Sequence, residues 1–104
     1  MRICDTLPMN SVMILYPKTE DSTFDIDYYV STHMPLYASA VGDACHGWGV
    51  STAHGDKYHA VSWMMVESMD ALAARMKEHG GPVMADIKNF TNVRAEMITG
   101  DVVV

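Results

Sequence analysis

Two segments of the chain are rich in strand-forming residues and apolar on both faces, which restricts the folds open to it. Asn10–Tyr16 and Tyr58–Val66 carry valine, isoleucine, tryptophan and methionine at odd and even positions alike. Successive side chains of a strand point to opposite faces of a sheet, so a strand with one solvated face would alternate apolar and polar residues. The pattern therefore predicts a sheet that is covered on both faces.

The periodicity along the chain predicts the element order β-α-β-β-α-β. Steps of three and four residues mark the helices, and short apolar runs bounded by turn residues mark the strands. This order is that of a ferredoxin-like α+β fold, an antiparallel sheet with both helices on one face. A second copy packed sheet to sheet would cover the other face, so we predict a homodimer and a dimeric α+β barrel. The predicted strands are Asn10–Tyr16, Cys45–Ala53, Tyr58–Val66 and Val93–Thr99; the helices run from an N-cap at Thr23 to Gly42 and from Ser68 to Gly80-Gly81, with a short helix at Pro82–Ile87.

Composition limits the classes of partner. With 104 residues and a net charge of −6, the chain is long enough for one domain and has no basic cluster, so we expect neither nucleic acid nor a membrane as partner. Two cysteines without metal or redox spacing favour a reduced, cytoplasmic setting, and no signal peptide or membrane span is recognised. We expect Met1–Met9 to be a loose leader, with Met9 a second candidate start, and residues 10–104 to form the domain.

The first helix contains the most informative residues. His33 lies within its apolar stripe, so a side chain that titrates near neutral pH is directed inward. Pro35 removes an interior backbone donor, so we expect either a kink or the end of one helix and the start of another. His33 then has two interpretations. It is either a buried histidine bonded to a backbone group that Pro35 leaves free, or a general acid/base in a cleft.

The remaining candidates are weighed in the same way. His79 is either a cation at the C-terminus of the second long helix or a second proton-transfer group opposite His33. His46, His54 and His59 lack ligand spacing, so we predict no metal site. The ten methionines are either core filler or the walls of an adaptable apolar pocket. Asp25, Asp27 and Asp86 suit helix caps and dipole partners, and Asp86 is the most open to another role because it borders the loop Asn89–Asn92.

Four segments of the chain resemble the EthD family, which takes its name from a protein linked to ethyl tert-butyl ether degradation. They are Phe24-Asp25-x-Asp27-Tyr28-Tyr29, His33-Met34-Pro35-Leu36, Met84-Ala85-Asp86-Ile87 and Asn89-Phe90-Thr91-Asn92. The resemblance implies the dimeric α+β barrel. It also implies a pocket between helices and sheet, which relatives on this barrel generally use for enolisable or phenolic substrates. Members are often labelled reductases, but no dinucleotide or flavin motif is present. The chain departs from the family at Lys88, where Pro is common, and the leader lies outside the family pattern.

From these observations we predict a small cofactor-independent enzyme that performs proton-transfer chemistry on an apolar or aromatic, oxygenated small molecule. Isomerisation, cyclisation and oxygenation all fit this description. The alternative is a non-catalytic binding or accessory protein of a degradation pathway that uses the same pocket. The predicted proton-transfer residues are His33 and His79, and the predicted substrate-binding residues are Tyr16, Tyr29, Tyr37, Trp63, Met84, Asn89 and Phe90.

Overall fold

The computed structural model describes residues 9–104, so the predicted leader falls almost entirely outside the described residues. A four-stranded antiparallel sheet of order β2-β3-β1-β4 is covered on one face by helices. The predicted ferredoxin-like α+β order is confirmed. The elements are β1 (Asn10–Pro17), α1 (Ile26–Tyr28), a π-helical turn (Tyr29–His33), α2 (Met34–Val41), a 3₁₀ turn (Gly42–Ala44), β2 (Cys45–Thr52), β3 (Tyr58–Val66), α3 (Met69–His79), α4 (Gly81–Asp86), a second 3₁₀ turn (Ile87–Asn89) and β4 (Glu96–Asp101).

The helical segment 26–41 passes Pro35 without a break. A π-helical turn precedes α2, and the amide of Met34 donates to the carbonyl of Tyr29, five residues back. Pro35 then falls in the first turn of α2, where a missing N–H costs little. The predicted irregularity beside His33 is thus confirmed, and its form is a π-helical turn, a feature frequent at functional sites. Tyr29 and His33, at the two ends of this turn, are both buried.

The N-cap of this segment is Asp25, and the prediction of Thr23 was wrong. The Asp25 carboxylate accepts a hydrogen bond from the amide of Tyr28. The carbonyl of Thr23 instead accepts from the hydroxyl of Thr91, which joins the segment before α1 to the loop after α4. A tertiary contact, rather than local capping, therefore determines the conformation at Thr23.

The core lies between the helices and one face of the sheet. On β1 the inward residues are Val12, Ile14 and Tyr16, and in the antiparallel register Val12 faces Met64 and Ile14 faces Ser62 on β3. Tyr29 and Met34 from the helical layer are fully buried against this face. The sequence period of two is therefore obeyed on the side that faces the helices.

The other face of the sheet is apolar and uncovered in the single chain. Four large side chains on it are more than a third exposed: Met13 (38%), Trp63 (38%), Met65 (37%) and Ile98 (58%). The Trp63 ring lies directly over Gly49 of β2, where a Cβ would collide with the ring. Apolar residues thus lie on both faces of β1 and β3, but only one face is covered within the single chain, so the predicted cover of the second face stays a prediction.

The last strand begins later than predicted. β4 runs Glu96–Asp101 rather than Val93–Thr99, and Met97 pairs with Ile14 on the face towards the helices. Residues 93–95 form a non-strand segment in which Val93 and Ala95 pack against the core. Val93 and Ala95 are two residues apart, which is the spacing of a strand. They are apolar because they pack in an irregular segment beside a cavity.

Candidate functional site

A cavity of about 530 Å³ lies between the helical layer and the sheet. Its size is within the usual range for a small-molecule site. Aliphatic side chains and four of the ten methionines together make up most of its lining; the methionines are Met69, Met76, Met84 and Met97. Four further residues bring polar groups to it: Tyr16, His33, Tyr37 and Arg94.

His33 is held in the cavity wall by aromatic rings. Its side chain is only 4% exposed. The ring of Tyr29 stacks on it at 5.5 Å between centroids, and the ring of Phe90 lies 4.4 Å away. Both neighbours are buried, so the imidazole has little rotational freedom.

The hydrogen-bond partner of His33 is a carboxylate. Its Nδ1 lies 3.0 Å from Oδ2 of Asp86, at the end of α4. The expected alternative, a bond to a backbone group freed by Pro35, is not the one formed. Because an ionised carboxylate only accepts hydrogen bonds, Nδ1 carries the proton and Nε2 is left with a lone pair.

Asp86 is itself oriented by two donors. Its Oδ1 accepts from the hydroxyl of Tyr28 at 2.6 Å and from the side-chain amide of Asn89 at 2.9 Å. These bonds, the one from Tyr28 foremost, hold the pKa of the Asp86 carboxyl below its ordinary 3.8. The carboxylate therefore stays charged at neutral pH and fixes the tautomer of His33.

His33 is neutral at neutral pH. Burial lowers the pKa of its imidazole below the ordinary 6.5, although the hydrogen bond and charge of Asp86 oppose this shift. No side chain of residues 9–104 donates to its Nε2, and no buried side-chain nitrogen or oxygen within that range is without a partner. Nε2 has no such donor and is therefore not sealed in the interior, so in a residue that lines the cavity it is available as a proton acceptor.

Two phenol groups line the same cavity as His33. Burial raises the pKa of both Tyr16 and Tyr37 above the ordinary 10. Both hydroxyls therefore stay protonated at physiological pH. A hydrogen bond to the hydroxyl of Tyr29 adds to the raised pKa of Tyr16, and the hydroxyl of Tyr29 is in turn bonded to the Oγ of the fully buried Ser62 at 2.7 Å. Tyr29 thus supports the site through packing and does not face the cavity.

Of the nine predicted site residues four line the cavity, three, Tyr29 among them, lie behind it around His33 and Asp86, and two lie away from it. Tyr16, His33, Tyr37 and Met84 line the cavity. Phe90 and Asn89 lie behind it, against His33 and Asp86 respectively.

His79 and Trp63 are the two residues left outside. His79 is at the exposed end of α3, with its Nε2 3.7 Å from Oε1 of Glu78, and does not line the cavity. The expectation that His79 lies opposite His33 across the pocket is therefore wrong. Trp63 is on the uncovered face of the sheet, away from the cavity that it was expected to line, because its neighbours in β3, Ser62 and Met64, take the inward positions.

Sequence reasoning missed the pairing of Asp86 with His33, and it missed Arg94 altogether. A usable signal for Asp86 was available: a histidine placed in an apolar stripe needs a polar partner, and Asp86 was the acid closest to the loop expected to close the pocket. Arg94 gave no comparable signal, since it was expected to alternate outward from a strand that does not begin until Glu96.

The other histidines show no cluster with ligand geometry. Within residues 9–104 no three His, Cys, Asp or Glu side chains come together as a group able to hold a metal ion. His59 Nε2 is instead bonded to Ser22 Oγ at 2.7 Å, and its ring stacks on Phe24. Over the same range, none of the helices has both the length and the apolar character needed to span a bilayer.

The fold and the site define a class: a ferredoxin-like α+β protein with a small-molecule-sized cavity beside a histidine–carboxylate pair. Comparison with solved structures agrees on the fold. The chain is similar to an EthD-like protein from Ralstonia eutropha JMP134, with a TM-score of 0.85 and 31% identity over 93% of this chain and 94% of that one. The chain belongs to the EthD-like family. No protein-family model matches the sequence, and no curated protein matches it.

Two more distant structures share the fold. One is an ethyl tert-butyl ether degradation (EthD) family protein from Bacillus halodurans C-125, with a TM-score of 0.60 and 18% identity over 91% of this chain and 99% of that one. The other is a dimeric protein of ferredoxin-like fold and unknown function from Bacteroides fragilis NCTC 9343. It matches with a TM-score of 0.56 and 10% identity over 90% and 96% of the two chains. At these identities the likeness concerns the fold alone.

Proposed function

We propose that the protein is an enzyme in which His33 removes a proton from a carbon next to a carbonyl group of an apolar small molecule. The observation that carries this proposal is the hydrogen bond between His33 Nδ1 and the Asp86 carboxylate beside an apolar cavity. A general base works best when its pKa lies near the working pH. The pKa of His33, lowered by burial from 6.5, leaves the imidazole unprotonated and able to accept a proton.

The two phenol groups that line the cavity are suited to stabilise the negative charge that this step creates on the ligand. Removing the proton moves the C–H electron pair towards the carbonyl oxygen, which becomes an enolate oxygen. Tyr16 and Tyr37 supply protonated hydroxyls to the cavity, and donors placed at a developing oxyanion lower the barrier. The proton on Nε2 turns His33 into an imidazolium, which the Asp86 carboxylate stabilises.

The same base then completes the reaction. Returning the proton from Nε2 to a different carbon gives an isomerisation. Attack of the enolate carbon on a second carbonyl carbon within the ligand forms a C–C bond and turns that carbonyl oxygen into an alkoxide, which takes the proton from Nε2 and so completes a cyclisation. In either case the base is regenerated and no external oxidant or reductant is needed. An apolar lining that keeps water away strengthens each of these electrostatic interactions.

The hydrogen-bond network that orients His33 favours an enzyme over a protein that only binds and carries its ligand. A carrier requires only the cavity, whereas Tyr28, Asn89 and Asp86 together fix the orientation and tautomer of one ring nitrogen. Orienting a base through further hydrogen bonds is a recurring feature of catalytic sites. Binding alone gives no reason to hold Nε2 free.

The test is solvent deuterium incorporation into enolisable ketones and lactones, followed by mass spectrometry. We expect incorporation with the wild-type protein and its loss in His33→Gln, with ligand binding retained. His79→Gln is the matched control, because His79 lies outside the cavity, and it should exchange at the wild-type rate. Binding of the same ligands without any exchange would identify a carrier and refute the proposal.

We further propose that a second copy of the chain covers the open face of the sheet. The support is the set of exposed apolar residues on that face, Met13, Trp63, Met65 and Ile98. Packing two such faces together gives the closed two-chain barrel implied by the family. The cavity lies on the opposite side of the sheet, so each subunit would keep its own site.

A further inference from the structure

Arg94 brings a positive charge to a cavity that is otherwise apolar and neutral. It lies in the irregular segment before β4, between Val93 and Ala95, both of which pack against the core and line the cavity. This packing fixes the backbone on either side of Arg94 and keeps its side chain at the cavity. Its position therefore differs from that of a free surface arginine on a mobile loop.

The guanidinium is not engaged elsewhere in the described part of the chain. None of the ion pairs or side-chain hydrogen bonds formed by residues 9–104 includes Arg94. Among the described residues that line the cavity it is the only lysine or arginine. In a chain with a net charge of −6, which repels anions in general, one uncommitted cation at an apolar cavity points to a specific counter-ion.

We propose that the ligand of this cavity is a carboxylic acid: an apolar molecule with an enolisable carbonyl, whose carboxylate binds Arg94. This inference rests on the proposed proton transfer by His33 and names the class of molecule on which it acts. A guanidinium presents two parallel N–H donors that match the two oxygens of a carboxylate. A phosphate dianion would bring a second negative charge that no other side chain of the cavity balances, since its remaining polar groups are the neutral His33, Tyr16 and Tyr37.

This arrangement of groups predicts how the ligand is oriented in the cavity. Its apolar body occupies the part of the cavity lined by aliphatic and methionine side chains. Its carbonyl oxygen meets the phenol groups, with the acidic C–H towards His33, and its carboxylate remains at Arg94, which is exposed to solvent. A charge that stays at the solvent-exposed rim is not fully desolvated, which keeps the cost of binding an anion low.

The test compares one acid with its neutral counterpart. The probes are 4-oxo-4-phenylbutanoate and 4-oxo-4-phenylbutanamide, which share the enolisable aryl ketone and differ in charge. Calorimetry measures their affinities for wild type, Arg94→Gln, Arg94→Lys and Lys77→Gln. Lys77 is the matched control, because it is an exposed cation on α3 that does not line the cavity.

We expect wild type to bind the acid roughly tenfold more tightly than the amide, the effect of one charge-assisted hydrogen-bonded pair. Arg94→Gln should lower the affinity for the acid to that of the amide and leave the amide unchanged. Arg94→Lys should retain part of the difference, and Lys77→Gln all of it. Equal binding of acid and amide by wild type, or an equal loss in Lys77→Gln, would overturn the inference.

Deuterium exchange at the carbon next to the ketone separates this inference from the proposed function. In one outcome the amide exchanges in a reaction that requires His33, but Arg94→Gln binds the acid as tightly as wild type. The proposed proton transfer is then supported, and the proposal that the ligand is a carboxylic acid is refuted. If the acid binds through Arg94 but neither probe nor a wider ketone panel exchanges, the ligand class stands and the proton transfer fails.

Discussion

Nδ1 of His33 lies 3.0 Å from Oδ2 of Asp86, although 53 positions separate the two residues in the chain. The histidine comes from a π-helical turn and the aspartate from the end of α4, so only the packed fold makes the pair. The aspartate is charged, the histidine is neutral, and the second ring nitrogen is free. Most of the functional interpretation follows from this one contact.

Asp86→Asn should weaken the base. The charge and hydrogen bond of Asp86 raise the pKa of His33 against the opposing effect of burial, so their loss lowers that pKa further. We expect the acidic limb of the pH–rate profile, already below 6.5, to move to lower pH, and exchange at pH 7 to fall by about tenfold or more. Asp27→Asn, an exposed acid in α1, is the control and should leave the limb in place. An unmoved limb in Asp86→Asn would show that the carboxylate does not act on His33.

The stability of the protein should fall on the acid side of neutrality. The pKa of His33 is about 6.5 in the unfolded chain and lower in the folded protein. At a pH between the folded-state and unfolded-state pKa values, the unfolded chain therefore binds more protons than the folded one. The free energy of unfolding is therefore independent of this group above pH 6.5 and decreases as the pH drops through the lowered pKa. Urea unfolding at pH 5.5 and pH 7.5 measures the difference.

His59 has to be separated from His33 in that experiment, because burial also lowers its pKa. We expect His33→Gln to reduce the loss of stability between the two pH values and the double variant with His59→Gln to reduce it further. If the pH dependence is the same in wild type and in both variants, neither histidine has a lowered pKa in the folded state.

The buried hydrogen bond between Tyr29 and Ser62 should be visible in a double-mutant cycle. Ser62 is fully buried, and its Oγ lies 2.7 Å from the Tyr29 hydroxyl. Ser62→Ala removes a buried hydrogen-bond partner of that hydroxyl and should cost about 1–3 kcal/mol. Adding Tyr29→Phe removes the hydroxyl that lost this partner and should recover part of the loss, as chemical denaturation measures. Strictly additive losses would mean that the two hydroxyls do not interact.

The open sheet face should control the oligomeric state. Met65→Lys places a charge on that face, and we expect the wild-type protein to be a dimer and this variant a monomer in analytical ultracentrifugation. Val30→Lys is the control, because Val30 is 43% exposed and Met65 37%, but Val30 lies in the helical segment on the other side of the sheet. A monomeric wild type, or a dimer that survives Met65→Lys, would contradict the proposed sheet-to-sheet packing.

Sequence patterns were sufficient for the fold because the elements are signalled locally. The Ser68 N-cap was predicted and is observed, with its hydroxyl accepting from the amide of Ala71, and Gly42 ends the first helical segment as expected. The burial of His33 also follows from its place in the apolar stripe. Each of these features depends on the spacing of nearby residues.

The features that sequence reasoning missed depend on tertiary contacts. Period-two patterning groups the residues of a strand by face, but when both faces are apolar it does not say which one meets the helices. Trp63 was therefore expected at the pocket and lies on the opposite face. The Asp86–His33 contact depends on how α4 packs against the π-helical turn, and no local pattern encodes that.

The protonation state of the His33 ring tests the central claim most directly, and ¹⁵N NMR of labelled protein across pH 5–8 measures it. We predict that at pH 7.5 the proton is on Nδ1 and Nε2 is unprotonated, and that the ring becomes doubly protonated only below its ordinary pKa of 6.5. The signal is assigned by its absence in His33→Gln. A ring that is already charged at pH 7.5, or one that carries its proton on Nε2, would contradict a free base facing the cavity.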